Sequence, residues 1–338
     1  MRFATHPLAQ AQGHMLAQTI QAGPERLRKG ITLTGLMCQW LASAGYEEVA
    51  VVELSPDDLP ENEAAHAIAR SLIRSGLAVE ASVNGRCNLI AAAEGLFRTD
   101  ARRVARLNLL SEAITLATLP DRKPVCTGQV VATVKIIPMA VKSALLRRVA
   151  SLAATGLCGL AAYRPRLCAS ILTRSLLRKE SILRKTESAM ETRVVARGGT
   201  ALPAQFCAHE ALSLAAEIIK AQEYGADLIL IAGAAAVADR EDVAPLAVKL
   251  AGGEITRFGM PVFPGNLVCL GRAGAADVLV LPGCAGNSRL NGADWILDRL
   301  FTGEQVSAED VALMGMGGLI EADSPAANPT RDALGAEG

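Results

Sequence analysis

Apolar positions along this 338-residue chain alternate between helical and extended spacing. Within residues 30–53, Leu36, Met37, Trp40 and Leu41 recur at helical spacing, Gly45 closes the helix, and Val49-Ala-Val-Val52 reads as a strand. The acidic, Pro-flanked stretch 55–63 reads as a loop and residues 66–74 as a helix, while the β-branched run in 129–137 predicts a strand. The Ala/Leu-rich stretch 145–161 predicts one more apolar helix. Gly156, Gly159 and Arg164-Pro165 place a boundary near residue 160.

Beyond that boundary the alternation becomes regular. Apolar strands are expected at 167–173, 227–231 and 277–281, and helices at 179–197, 210–224, 242–250 and 291–301. In the first of these helices Ile182, Leu183, Ala189, Met190 and Val194 share one side. Gly198, Gly225, Gly252 and Gly303 follow the helices as stops. Strands separated by helices imply right-handed crossovers and a parallel sheet covered on both faces. The expected architecture is thus a three-layer α/β domain with a parallel sheet over 161–305. A smaller α+β region, 1–160, precedes it, and a tail, 306–338, follows with its end expected to be disordered. In such sheets ligands bind in the crevice beyond the carboxyl ends of the strands.

Composition narrows the partners. Hydrophobic residues make up 51% of the chain but aromatics only 3%, so Ala, Leu, Val and Ile must build the core. Lys plus Arg and Asp plus Glu both number 34, which leaves no global field for nucleic acid. Apolar runs such as 228–238 fall short of the roughly 20 residues that span a bilayer. Residues 1–7 lack the apolar run of a signal peptide, and a cytoplasmic protein without a membrane partner is expected. The eight cysteines form no Cys-x-x-Cys pair and read mostly as small buried residues in a reducing compartment. His209-Glu210 begins no zinc motif, because Ser213 stands where the second His would be. No protein-bound metal is expected.

Three loops at strand ends carry the candidate chemistry. Ala232-Gly-Ala-Ala-Ala-Val-Ala-Asp239 leaves the strand 227–231 and runs through Asp242 into a helix; its small residues let a ligand approach the backbone, and amides at a helix start favour an anion. Gly259-Met-Pro-Val-Phe-Pro-Gly265 reads as a rigid folded segment, and Pro282-Gly-Cys-Ala-Gly-Asn287 follows the strand 277–281.

In this order and spacing the loops make residues 166–301 resemble the molybdopterin-binding domain shared by molybdopterin molybdenumtransferases and molybdopterin adenylyltransferases. The family's Ser-Gly-Gly-Val-Ser-Val-Gly-Asp lies on 232–239 without gaps, so that Gly233, Val237 and Asp239 coincide. Its Lys-Pro-Gly-Lys-Pro lies on Phe263-Pro-Gly-Asn-Leu267, retaining Pro264 and Gly265, and its Leu-Pro-Gly-Asn-Pro on Leu281-Pro-Gly-Cys-Ala285, retaining Pro282 and Gly283. The stretch from Lys29-Gly-Ile-Thr-Leu33 to Val52 is also similar to the segment that precedes this domain in the molybdenumtransferases, without their Ser-Ala-Met-Asp-Gly-Tyr signature.

The resemblance implies molybdopterin or molybdenum cofactor as ligand, with Mg²⁺ and a nucleotide in the enzymatic version, and a homodimer built through the amino-terminal region. It departs where Ala234, Ala236 and Ala238 replace Gly, Ser and Gly, and where Phe263 and Asn266 replace both lysines. Loss of two cations removes much of the charge-assisted bonding of an anion site. Arg174, Arg178 and Lys179 are candidate replacement cations or simply a solvated helix start; Arg289, Asn291 and Asp294 follow the third loop, where Asn291 is a ligand-binding residue or a helix cap. Asp239 and Asp242 hold metal or nucleotide, or cap a helix; Trp295 and Cys284 read as packing residues.

Two functions follow. A binding module would hold the cofactor for a nucleotidyltransferase or a molybdenum apo-enzyme, whereas an active molybdenumtransferase or adenylyltransferase would use Asp239 and Asp242 on Mg²⁺ or molybdate. A more distant alternative is a hydrolase of the nicotinamide-nucleotide amidase type, which carries a similar domain; its amidase lies in a separate domain with no counterpart in 1–160.

Overall fold

In the computed structural model residues 1–22, 25–175 and 179–320 are described. The described residues divide into two units: residues 1–92, 97–123 and 127–160 form the first, and 93–96, 124–126 and 161–320 form the second.

The first unit is α+β. The strand Glu48–Glu53 pairs antiparallel with Arg2–Pro7 and with Met15–Leu16, and Leu8, Leu16, Leu33, Leu41 and Val51 close a core against the helix Gly35–Ser43. A second sheet orders Ile114–Thr118, Val130–Ile136, Arg86–Ala91 and Leu77–Val79, all antiparallel. Two expectations change here. The stretch 55–63 is not all loop: Asp58–Pro60 is a strand paired with Ala140–Lys142, and the helix Glu61–Leu72 already starts at Glu61. The helix expected over 145–161 is Ser143–Leu152, and Cys158–Ala162 is extended. Gly156, at φ +72°, turns the chain between them, and its Cα packs on Arg74 so closely that a side chain would collide.

The second unit is α/β. Its elements are β1 (Leu167–Arg174), α1 (Glu180–Val195), β2 (Gln205–Ala208), α2 (Ala211–Glu223), β3 (Leu228–Ala232), α3 (Val243–Leu250), β4 (Glu254–Phe258), β5 (Cys269–Ala273), β6 (Ala276–Val280), α4 (Gly292–Phe301) and α5 (Ala308–Leu313). β2 pairs parallel with β1, β1 with β3 and β3 with β6. The sheet then continues through β5 and β4, each antiparallel to its neighbour. β2 is the far half of an interrupted edge strand, whose near half, Thr200–Ala201, also pairs with β1. Pro203 lies in the gap, where it cannot donate to a ladder.

Side-chain alternation sorts the helices onto the two faces. Leu172, Leu228, Leu230 and Leu279 point to one face with Leu183 and Met190 of α1 and Ile296 and Leu300 of α4. Ile171, Ile229, Ile231 and Val278 point to the other with Leu214 and Ile218 of α2 and Val248 of α3. The segment after 305 belongs to this unit through residue 320: Val306, Val311 and Met314 are buried in the first of these clusters. No helix among the described residues is long and apolar enough to cross a membrane.

Candidate functional site

Strand direction gathers the loops. Because β5 runs antiparallel to both β6 and β4, β4 points the same way as β1, β3 and β6. The segments after β1, β3, β4 and β6 therefore all emerge at the carboxyl edge of one sheet. They carry the residues that the sequence singles out.

The loop after β3 is tied down from below. Thr173, fully buried at the end of β1, accepts the Ala234 amide on Oγ1 at 2.7 Å, and the same Oγ1 lies 2.9 Å from His209 Nδ1. Gly233 is required there, since a side chain on it would meet the Ala235 carbonyl at 2.6 Å. Asp242 caps α3: one oxygen accepts the Val243 amide at 2.7 Å and the other the Ala238 amide at 3.1 Å. Asp239 accepts the Glu241 amide at 2.8 Å and is exposed. Both carboxylates are thus bonded within their own loop. Among the described residues no group of three His, Cys, Asp or Glu side chains is placed to hold a metal ion.

The loops after β4 and β6 lock into each other. Gly259 and Met260 amides bond the Val268 and Asn266 carbonyls, closing a hairpin whose tip carries Pro264 and Gly265. The Pro264 carbonyl accepts the Gly292 amide at 2.9 Å, and Gly265 abuts Gly292 too closely for a Cβ. Phe263 is 64% exposed and its backbone pairs with the 318–320 segment. The Asn266 side chain is exposed.

The third loop turns through the short 3₁₀ helix Gly283–Gly286, with Pro282 buried and Gly283 exposed, and is held by an arginine from α1. Arg193 is 4% exposed and donates to the Ala285, Asn287 and Arg289 carbonyls at 2.9, 2.7 and 3.1 Å while pairing with Asp294 at 3.0 Å. Arg197 bridges Asp294 and Asp298, and Asp298 also accepts the Tyr163 hydroxyl at 2.8 Å. Burial pushes the Asp298 carboxyl up from its ordinary range, and Arg197 at 2.7 Å counters it. Asn291, 1% exposed, is the cap of α4 and forms a capping box with Asp294. Arg289 is exposed.

The expected cations are placed unequally. Arg174 stacks on the Phe206 ring at 4.7 Å and lies 3.7 Å from Glu180; Arg184 covers the same ring at 5.1 Å. Lys179 precedes α1 with an exposed side chain that makes no ion pair among the described residues. Arg178 lies outside the described residues. Trp295 packs against the core, and Cys284 is half-buried.

The structure adds Thr173, His209 and Arg193 to the site. Arg193 left a trace in the sequence, because it falls on the stripe of Leu183, Thr186 and Met190 that α1 buries, and a charge on a buried stripe needs a partner. His209 is visible in the sequence only as the start of a failed zinc motif, because the edge strand before it is too short and broken to read. A hollow lined by Asn62, Glu63, His66, Ala67, Arg70 and Ser82 belongs to the first unit and contains none of these residues.

Comparison with known proteins gives a narrow result. No family model matches the chain. No curated protein matches it. Among solved structures it is similar to the molybdopterin biosynthesis MoeA protein from Pyrococcus horikosii, at 14% identity over 83% of this chain and 70% of that one, with a TM-score of 0.26. It is also similar to molybdenum cofactor biosynthesis protein B, at 14% identity over 41% of this chain and 88% of that one, with a TM-score of 0.29.

Proposed function

We propose that the second unit binds molybdopterin or molybdenum cofactor at the carboxyl edge of its sheet, as a carrier in cofactor biosynthesis or delivery. The observation that supports this best is the convergence of the motif-bearing loops at one edge, with Gly233, Gly265 and Gly283 each on a strand-end turn. Loop amides would hold the ligand's anionic end, Arg174 and Lys179 would add positive charge, and the cofactor would bring its own metal and dithiolene chemistry.

A carrier is favoured over a transferase by the state of the acidic pair. Asp242 accepts amides of its own loop on both oxygens as the cap of α3, and Asp239 accepts one, a structural role that accounts for both carboxylates without a metal ion. Phe263 and Asn266, in place of the family's lysines, point the same way. The recipient would be a nucleotidyltransferase or a molybdenum apo-enzyme. Protein purified from cells that make the cofactor, analysed by mass spectrometry after denaturation, should release a pterin in near-stoichiometric amount. A pterin-free sample from such cells that also fails to take up added cofactor would overturn the proposal.

A further inference from the structure

We infer that His209, oriented by Thr173, is a ligand-binding residue of this edge that donates its Nε2–H to a phosphate oxygen. The inference rests on the reading that a pterin phosphate occupies the edge, and it assigns a residue that the loop motifs do not contain.

The argument starts from one buried hydroxyl. Thr173 has no exposed surface, and its Oγ1 already accepts the Ala234 amide at 2.7 Å. The hydroxyl proton still needs an acceptor, because a buried donor left unpaired is costly. Among the described residues the acceptor within reach is His209 Nδ1, at 2.9 Å. Thr173 therefore donates to Nδ1, and the neutral ring carries its own proton on Nε2. One hydroxyl thus fixes both the start of the glycine-containing loop and the tautomer of the imidazole.

Position makes that proton available. The imidazole edge flanks the loop at its first residue, with Cε1 3.8 Å from where a side chain on Gly233 would begin. Nε2 adjoins Cε1, and it makes no hydrogen bond to a described residue. His209 is half-buried, while Ala235 and Ala236 of the facing loop are exposed, so the N–H borders an open surface rather than a packed one. Arg174, one residue beyond Thr173, stacks on Phe206 and faces Glu180 at the same strand end, and Lys179 follows with an exposed side chain. A rigid N–H donor beside small residues and cations suits an anionic oxygen, and the phosphate is the anionic group of a pterin cofactor. Where the family's lysines are lost, a neutral but oriented donor would take over part of their work.

Four histidines make the test direct. With ¹⁵N-labelled full-length protein, His209→Gln identifies the His209 ring signals. The expected spectrum has the proton on Nε2 and none on Nδ1, and the Nε2–H resonance moves on addition of molybdopterin but not of its dephosphorylated form. In affinity measurements His209→Ala should weaken molybdopterin binding about 10-fold or more, the scale of one hydrogen bond to a charged group. It should leave the dephosphorylated pterin unaffected, and His209→Gln, which can donate from a similar position, should recover most of the loss. Should the alanine variant fail to fold, the ring spectrum and the glutamine variant still decide. A proton on Nδ1, equal binding by wild type and His209→Ala, or equal weakening for both pterins would overturn the inference. Failure of the wild type to bind either pterin would instead defeat the functional reading on which it rests.

Discussion

Cys168 and Cys269 sit deep enough in the second unit's sheet for burial to push their thiols up to about 12 and about 11, and burial likewise holds Cys158 at about 11. Below the ordinary thiol range near 8.5 both folded and unfolded chains keep these protons, and the contribution to stability is fully present. As pH climbs from there toward 11–12, the unfolded chain ionises thiols that the fold keeps neutral, so stability falls. Urea midpoints should therefore decline between about pH 8.5 and 11, and less steeply in Cys168→Ala at matched baseline; a flat profile would contradict the assignment. Five of the eight cysteines are buried, in keeping with the sequence reading of small apolar residues. The acidic pair yields a second prediction at this scale. Asp242→Ala removes the cap of α3 and should cost about 1 kcal/mol, seen as a lowered Tm. Asp239→Asn keeps an oxygen for the Glu241 amide and should leave Tm nearly unchanged. The identities of both residues were legible in the sequence; which amides their oxygens accept was not, because that depends on the curl of the 233–242 loop.

Among the elements, the sequence pattern was most informative where a strand is buried on both faces or a helix ends in a left-handed glycine. β1, β3 and β6 are such strands, and Gly225 and Gly303, at φ +76° and +82°, are such stops. It failed where packing overrides local preference. Cys158–Ala162 is rich in helix-forming Ala and Leu yet is extended, and β4 with β5 adds an antiparallel edge that no helical spacer announces. Within α1, Ile182 is 46% exposed while Arg193 takes the buried stripe, because Arg193 has Asp294 and three loop carbonyls to satisfy it. Removing that partner should be severe. Asp294→Ala leaves Arg193 and Arg197 short of a buried counter-charge and breaks the capping box of α4, with an expected loss of about 3–5 kcal/mol in denaturant unfolding. A loss below about 1 kcal/mol would mean that the network does not hold the third loop.

For the molecule as a whole, we propose a two-fold homodimer in which residues 1–160 supply much of the contact, the commonest symmetry for soluble oligomers. Phe3, Leu36 and Leu109 of the first unit, 63%, 79% and 83% exposed, are apolar side chains that such a contact would cover. Light scattering at micromolar concentration should give twice the 35.3 kDa chain mass, and a monomeric mass would reject the dimer. The claim on which the rest depends is that the carboxyl edge of the second unit's sheet takes a pterin cofactor. Calorimetric titration of the full-length protein with molybdopterin tests it most directly. The expected result is saturable binding near one ligand per chain with a Kd of about 1 µM or tighter, about 8 kcal/mol; a folded sample that gives no saturable heat and no thermal shift with molybdopterin or molybdenum cofactor would contradict it.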